Sequence, residues 1–191
     1  MAKIPVSTLS TGDSPTIGYT RTAVALHWTI GGLIICAFAM GWVMTDLAIS
    51  PLKLKMYNWH KWLGMSILAL VVIRTLWRLT HPAPPLLPMP RWQAMAAHGL
   101  HGVLYLLMLA IPLSGWAYSN AAGYPIVYLG LVRLPDLVAR DKPLAAELVE
   151  LHELLGWVLI ACVVIHIAAA LKHHFFDRDN TLQRMMRWRA S

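Results

Sequence analysis

Charged residues are scarce in this chain, and their scarcity limits the class of protein that it can be. Only 13% of the 191 residues are Asp, Glu, Lys or Arg, while 58% are hydrophobic. Soluble globular domains usually carry charges at about a quarter of their positions. The composition therefore excludes an ordinary soluble domain and predicts a protein embedded in a lipid bilayer.

Cysteine is also scarce, with two residues in the whole chain, Cys36 and Cys162. They form neither a CxxC pair nor the CxxCH signature of covalent haem attachment, so we interpret them as small core residues. A cleavable signal peptide would need a basic start and a short apolar core. Residues 1–18 are instead rich in Ser, Thr and Gly, and they are predicted to form a flexible tail.

Four long apolar runs are present, and each is close to the roughly 20 residues that a helix needs to cross a bilayer core of about 30 Å. The runs cover about 22–44, 57–79, 94–118 and 148–171. They predict an all-α fold, a bundle of four transmembrane helices. We expect one bundle domain over 19–176, followed by a basic C-terminal tail over 177–191.

Two links between the runs have distinctive compositions. Residues 80–92 are Pro-rich, and proline removes a backbone donor and disfavours helix before it, so they predict an extended loop. Residues 119–144 contain several Tyr, Pro and Leu residues. That composition predicts a segment that lies against the bundle rather than a free loop.

The positions of Lys and Arg predict the orientation, because these residues accumulate in short cytoplasmic loops. Arginines flank the link between spans two and three, and the tail after span four is strongly basic. Three lysines near the first link indicate the reverse orientation: Lys53, Lys55 and Lys61. On balance both termini are predicted to face the cytoplasm. The net charge of +7 requires no nucleic acid, because anionic lipid headgroups and the positive-inside bias account for it.

Nine histidines are present, and an ionisable side chain inside a membrane span is costly and usually functional. His152 and His166 lie fourteen residues apart on span four. That spacing separates them by about 21 Å along a helix and by about 40° around it. Both therefore lie on one face, one near each membrane boundary, and each needs a partner from another span.

Depth along the spans selects the partners. His60 lies near the same boundary as His152, whereas both His27 and His98 lie near the boundary of His166, so the residues alone leave either as its partner. Histidines on facing helices are typical axial ligands of haem iron, and a bundle can enclose the apolar porphyrin. The pattern predicts two non-covalent haems of b type, suited to electron transfer.

Two arginines are candidate partners for haem propionates. Arg74 lies fourteen residues after His60, hence on nearly the same face and at the depth of His166. Arg21, six residues before His27, is a similar candidate. Arginine binds carboxylates through charge-assisted hydrogen bonds. Either side chain could instead extend toward the lipid headgroups.

Five motifs, in this order, resemble the bacterial cytochrome b-561 family of four-helix, two-haem membrane proteins: YTRTAVALHW, NWHKWLG, AHGLHGVLYLLMLAIPLSGW, LHELLGWVLIACVVIHIAAALKHHF and DNTLQRMM. The resemblance covers about residues 18–188. It implies a b-type cytochrome of the bacterial cytoplasmic membrane, with His27, His60, His152 and His166 as haem ligands. It therefore favours His27 over His98.

The resemblance also implies electron-transfer partners. Some members of the family are similar to superoxide oxidases, in which superoxide gives its electron to an outer haem and ubiquinone is reduced at the inner side. A basic outer patch steers an anion, and Lys53, Lys55 and Lys61 are candidates for one. Related members carry electrons for other partners.

The quinone pocket is expected near the inner haem, between the starts of spans one and three, where His98 or His101 offers a polar contact. Two other functions are compatible with many histidines in a membrane protein. A membrane-anchor subunit of a dehydrogenase or hydrogenase would use the same haems with an external redox partner. A non-haem di-iron oxygenase would cluster its histidines at the cytoplasmic surface, whereas four here lie within the spans in two layers.

Overall fold

The computed structural model describes residues 18–186, so nearly all of the predicted N-terminal tail and the end of the C-terminal tail lie outside the described residues. The elements in chain order are α1 (Arg21–Asp46), α2 (Pro51–Thr80), α3 (Arg91–Ala121), β1 (Val127–Tyr128), β2 (Val132–Arg133), α4 (Lys142–Phe175) and α5 (Gln183–Met186). Helices α1 to α4 are each long and apolar enough to cross a membrane. The predicted all-α fold is confirmed, and its four long apolar helices are candidate membrane spans.

The helices extend beyond the predicted apolar runs because polar caps begin them. Ser50 Oγ accepts a hydrogen bond from the Lys53 amide at 3.2 Å, and α2 begins at residue 51 rather than at 57. Asp141 Oδ1 accepts from the Leu144 amide at 3.1 Å, and α4 begins at 142 rather than at 148. Such caps satisfy the unpaired amides of a first turn. Polar residues, not hydropathy, therefore set these helix starts.

An apolar layer to which all four long helices contribute lies at the centre of the bundle. Its buried members are Ile30, Ile34, Ile67, Val71, Leu104, Leu107 and Leu159. On α4, Leu159 is seven residues from both His152 and His166. The layer therefore separates the two histidine levels that the sequence predicts.

The helices pack in chain order, α1 on α2, α2 on α3 and α3 on α4. Helix α4 also meets α1 through aromatic side chains. The ring centroid of Trp157 lies 5.1 Å from that of Phe38 and 5.6 Å from that of Trp42. These three rings line a cavity between the helices.

The segment between α3 and α4 lies against α2, as its composition predicts. Trp62 Nε1 donates to the Val127 carbonyl oxygen at 2.8 Å, and the hydroxyl oxygens of Ser66 and Tyr128 are 2.9 Å apart. Strands β1 and β2 of this segment pair antiparallel as a short hairpin, and we call this side of the bundle the hairpin end. The opposite side, where α1 begins and α4 stops, is called the termini end.

Residues 177–186 fold back across the termini end. Trp28 Nε1 donates to the Met185 carbonyl oxygen at 2.8 Å, and Arg184 Nη1 donates to that of Pro85 at 2.8 Å. These bonds connect the last described residues to α1 and to the Pro-rich loop. That loop contains no helix or strand over 81–90, as predicted.

Asp179 holds the turn that follows α4. Its carboxylate accepts from His173 Nδ1 at 2.8 Å and from the Thr181 amide at 2.8 Å. Burial alone would raise the pKa of Asp179, but hydrogen bonds from Thr181 and the neighbouring His173 outweigh burial and hold the pKa below its ordinary value of 3.8. A lowered carboxylate pKa stabilises the folded form above the ordinary value, and that contribution is lost as pH falls through the lowered one.

We therefore expect the fold-back of residues 177–186 to loosen as pH falls below about 4. Amide hydrogen exchange, corrected for its intrinsic pH dependence and read by mass spectrometry, should accelerate there. Asp179→Asn should exchange fast already at neutral pH, because its amide carries no charge. Glu150→Gln, which changes an exposed acid on α4, should not alter the exchange. Slow exchange in Asp179→Asn would contradict the assignment.

Candidate functional site

Four histidine rings meet in two pairs, at two levels of the bundle. His60 of α2 and His152 of α4 face each other toward the hairpin end, with ring centroids 6.0 Å apart. His27 of α1 and His166 of α4 do so toward the termini end, also at 6.0 Å. About 21 Å of helix α4 separates the levels, far more than the roughly 4 Å of a two-metal cluster. The structure thus brings together His60 with His152, as depth predicts, and His27 with His166, one of the two pairings that depth leaves open for His166.

Oxygen atoms of neighbouring helices orient the rings of the hairpin-end pair. His60 Nδ1 donates to the Ala37 carbonyl oxygen at 3.0 Å. His152 Nδ1 lies 3.0 Å from the Ile111 carbonyl oxygen and 3.1 Å from Ser114 Oγ. A hydrogen bond at Nδ1 fixes the tautomer and the ring orientation of a metal-binding histidine. Each ring therefore keeps Nε2 available as a ligand atom.

Two glycines make room for the same rings. A Cβ atom at Gly41 would lie 3.2 Å from His60 Cε1, and one at Gly115 would lie 2.9 Å from His152 Cε1. Carbon atoms normally approach to about 3.5–4 Å. Sequence reasoning missed both positions, although glycine within a helix costs about 0.5–1 kcal/mol relative to alanine. Their place inside apolar spans was therefore a signal of close packing.

A cavity of about 430 Å³ lies beside the hairpin-end pair. Both histidines of the pair line it, as do Gly41 and Gly115. Most of the other lining residues are apolar or aromatic, and its charged lining residues are Asp46, Lys61 and Glu153. The cavity can therefore take an apolar group while the two imidazoles approach that group.

A third histidine joins the pair at the termini end. The ring centroid of His101, on α3, lies 5.3 Å from that of His166, closer than that of His27. His98 is exposed, and its Nδ1 donates to the Ala94 carbonyl oxygen of its own helix at 2.7 Å. The structure therefore places His27 and His101 beside His166, and it turns His98 toward its own backbone.

Arg74 is buried, with 8% of its surface exposed. Its Nη1 donates to the Ala23 carbonyl oxygen at 2.7 Å and its Nε to the Tyr105 hydroxyl at 3.0 Å. Among residues 18–186 it forms no ion pair. A buried charge without a counter-ion is costly, so the Arg74 side chain could pair with a negatively charged group of a ligand. Sequence reasoning missed Tyr105, which carries no charge to mark it.

The remaining predicted basic residues are placed differently. Arg21 is the first residue of α1 and is exposed. Lys53 Nζ donates to two backbone carbonyl oxygens at the end of α1, at 3.2 and 2.6 Å. Lys61 Nζ donates to the Tyr124 carbonyl oxygen at 3.2 Å and lines the cavity, whereas Lys55 is exposed. Of the three predicted lysines, Lys61 is thus the one beside the hairpin-end pair.

These residues fit haem. Two metal–imidazole bonds of about 2 Å each, together with the radii of the two rings, come close to the 6.0 Å between the centroids in each pair. The hairpin-end cavity suits an apolar macrocycle, and glycines stand where a methyl group would crowd the ligand rings. Buried Arg74 suits a propionate.

Comparison with known proteins places the chain in a family. The family model described as "Prokaryotic cytochrome b561" matches residues 18–188. The chain is 36% identical to "Cytochrome b561 homolog 2" of Escherichia coli (strain K12) over 172 residues, which are 88% of this chain and 90% of that relative. It is 33% identical to the "Probable superoxide oxidase CybB" of Yersinia pestis over 174 residues, 88% and 95% of the two chains.

A more distant relative is "Cytochrome b562" of Cereibacter sphaeroides, 28% identical over 180 residues, which are 89% of this chain and 96% of that relative. The family match covers nearly the whole chain, and membership of a cytochrome b family implies haem. With its four candidate spans, this multi-pass membrane protein belongs to the prokaryotic cytochrome b561 family.

Proposed function

We propose that this chain is a two-haem b-type cytochrome that passes single electrons across the membrane, from a donor at the hairpin end to quinone at the termini end. The observation that carries the proposal is the two facing histidine pairs, because the two imidazoles of each pair would hold one haem iron. The proposed ligands are His60 with His152 and His27 with His166. The haems would be bound without covalent attachment, because the chain has no CxxCH signature.

Bound haem would supply a centre that accepts and releases one electron at each level. The protein's part is to hold the ligands still and to keep water out. The hydrogen bonds from His60 to Ala37 and from His152 to Ile111 restrain the ligand rings. The apolar layer around Leu159 excludes water between the two levels.

We propose that the hairpin end faces the outside of the bacterial cytoplasmic membrane. Lys and Arg collect on the cytoplasmic side of membrane proteins, and the termini end carries Arg21, Arg78 and Arg91. At the hairpin end, Arg133 is balanced by Asp136 in an ion pair of 3.2 Å.

Superoxide is the first donor to test. A relative has the printed name probable superoxide oxidase, and Lys61 lies in the wall of the cavity beside His60. Asp46 and Glu153 line the same cavity, so attraction of an anion would be weaker than in a uniformly basic funnel. Two superoxide anions would become two molecules of O₂ and deliver two electrons, which with two protons convert one quinone to quinol.

The quinone pocket is proposed near the termini-end pair, with His98 or His101 as its polar contact. Both lie on the first turns of α3. Replacing each with alanine should slow quinone reduction, measured with a soluble quinone analogue. Unchanged reduction in both variants would remove these residues from the pocket.

A reduced-minus-oxidised spectrum of the purified protein, with a pyridine haemochrome assay, tests the proposed function. We expect two b haems per chain, and haem reduction when superoxide is generated enzymatically. Protein without haem, holding iron or zinc instead, would refute the cytochrome. Two haems that superoxide does not reduce would refute superoxide as the donor and make a protein donor the next one to test.

Arg74→Gln is expected to weaken retention of the termini-end haem about tenfold or more. Hydrogen bonds to a charged group contribute about 1.5–3 kcal/mol, and about 1.4 kcal/mol is a factor of ten. The measurement is the rate of haem transfer to apomyoglobin. Arg78→Gln is the matched control on the same helix. Arg78 contacts an aromatic ring of the chain instead, because its Cζ atom lies 5.6 Å from the Tyr19 ring centroid. Equal loss in both variants would contradict a specific role for Arg74.

A further inference from the structure

The two histidine levels are built differently. At the hairpin end, His60 and His152 each have an oxygen partner at Nδ1, supplied by α1 and α3 respectively. At the termini end, the hydrogen bonds of residues 18–186 include none to a ring nitrogen of His27 or His166. The polar group beside His166 is instead the ring of His101.

The ring of His101, on α3, lies beside that of His166 on α4. The ring centroids of His101 and His166 are 5.3 Å apart at an interplanar angle of 73°. In this edge-to-face arrangement the edge of one ring lies against the other ring, so the two imidazoles are direct neighbours.

A histidine that binds iron through one ring nitrogen usually donates the other N–H to an oxygen or nitrogen acceptor, and that bond orients the ring and raises its basicity. We propose that His101 is the positioning residue of His166. On this proposal, which rests on the proposed haem function, His101 accepts the hydrogen bond that a carbonyl or hydroxyl oxygen accepts at the hairpin end.

The consequence concerns the reduction potential of one haem only. A more basic axial ligand favours the ferric over the ferrous iron, so the hydrogen bond lowers the potential, and hydrogen bonding around the ligands is a recognised means of tuning it. Loss of His101 should therefore raise the potential of the termini-end haem. The hairpin-end haem, about 21 Å away along α4, should keep its own.

The experiment is a potentiometric titration of the haem-loaded, detergent-purified protein, followed optically, for wild type, His101→Phe, His101→Gln and His81→Phe. His101→Phe should raise one of the two potentials and alter the low-spin ferric EPR signal of that haem. His101→Gln keeps a polar group of similar reach and should restore part of the shift. His81→Phe makes the same change at an exposed histidine that is stacked on Trp77, outside both pairs, and should leave both potentials in place.

Two results would overturn the proposal. In one, both potentials in His101→Phe equal those of wild type. In the other, His101→Phe loses one haem while His27→Ala keeps two, which would make His101 itself the ligand. Wild-type protein without haem would refute the proposed function instead, so the two failures are distinguishable.

Discussion

Replacing His152 with alanine is expected to remove the hairpin-end haem and to halve the haem content of the protein. The substitution deletes one proposed haem ligand and opens the cavity wall, and the residues that line the cavity include no histidine besides His60 and His152 that could replace it. The remaining haem, held by His27 and His166, should keep its spectrum. His60→Ala should have the same effect from the other side of the site.

Variants at the other level separate a specific loss from general unfolding. His166→Ala should remove the termini-end haem and leave the hairpin-end one, so the two variants should each hold one haem with different reduction potentials. His81→Ala serves as the control, because His81 is exposed and its ring stacks on Trp77 with centroids 3.9 Å apart. Two haems in either His152→Ala or His166→Ala would show that the ligand is misassigned.

The two levels of histidine rings could be predicted because they depend on helix geometry alone. A regular helix turns about 100° per residue and rises about 1.5 Å, so the spacing of His152 and His166 decides both face and depth. Depth in turn places His60 opposite His152, and it places either His27 or His98 opposite His166. The ring separations of 6.0 Å agree with that placement, while the binding of haem iron stays a prediction.

Rotation of one helix about its axis could not be predicted from depth. His98 and His27 lie at similar depths, so sequence spacing alone did not separate them. The packing of α3 turns His101 toward His166 and leaves His98 exposed. That rotation depends on which apolar residues of α3 fill the central layer, chiefly Leu104 and Leu107.

Contacts made by uncharged or flexible side chains also could not be predicted from the sequence. Tyr105 is uncharged, so the sequence does not mark it as a partner of Arg74. Its hydroxyl oxygen nevertheless accepts a hydrogen bond from Nε of buried Arg74. The sequence indicates that Lys53 belongs to a basic patch, but its side chain donates hydrogen bonds to carbonyl oxygens at the end of α1. In both cases the partner lies on another helix, so the contact exists only after the bundle has packed.

The largest effect of a single methyl group is expected at Gly115. In Gly115→Ala the new Cβ atom would lie 2.9 Å from His152 Cε1 and 3.1 Å from Nδ1. The ring has little room to retreat, because Ile111 and Ser114 hold its Nδ1. Displacing a group that orients a metal ligand typically weakens metal binding about 10–100-fold, so Gly115→Ala should retain the hairpin-end haem at least about tenfold more weakly.

Two further glycine-to-alanine substitutions test whether haem loss depends on the distance from the new Cβ atom to the histidine ring or on the loss of glycine itself. Gly41→Ala would put its Cβ atom 3.2 Å from His60 Cε1, whereas Gly102→Ala, on the same helix as Gly115, meets nothing within 4 Å. Haem transfer to apomyoglobin should therefore be fastest in Gly115→Ala, intermediate in Gly41→Ala and unchanged in Gly102→Ala. If Gly102→Ala releases haem as fast as Gly115→Ala, helix backbone effects rather than crowding of the ligand ring are responsible. If all three retain haem like wild type, the rings move aside easily and these glycines do not set the ligand geometry.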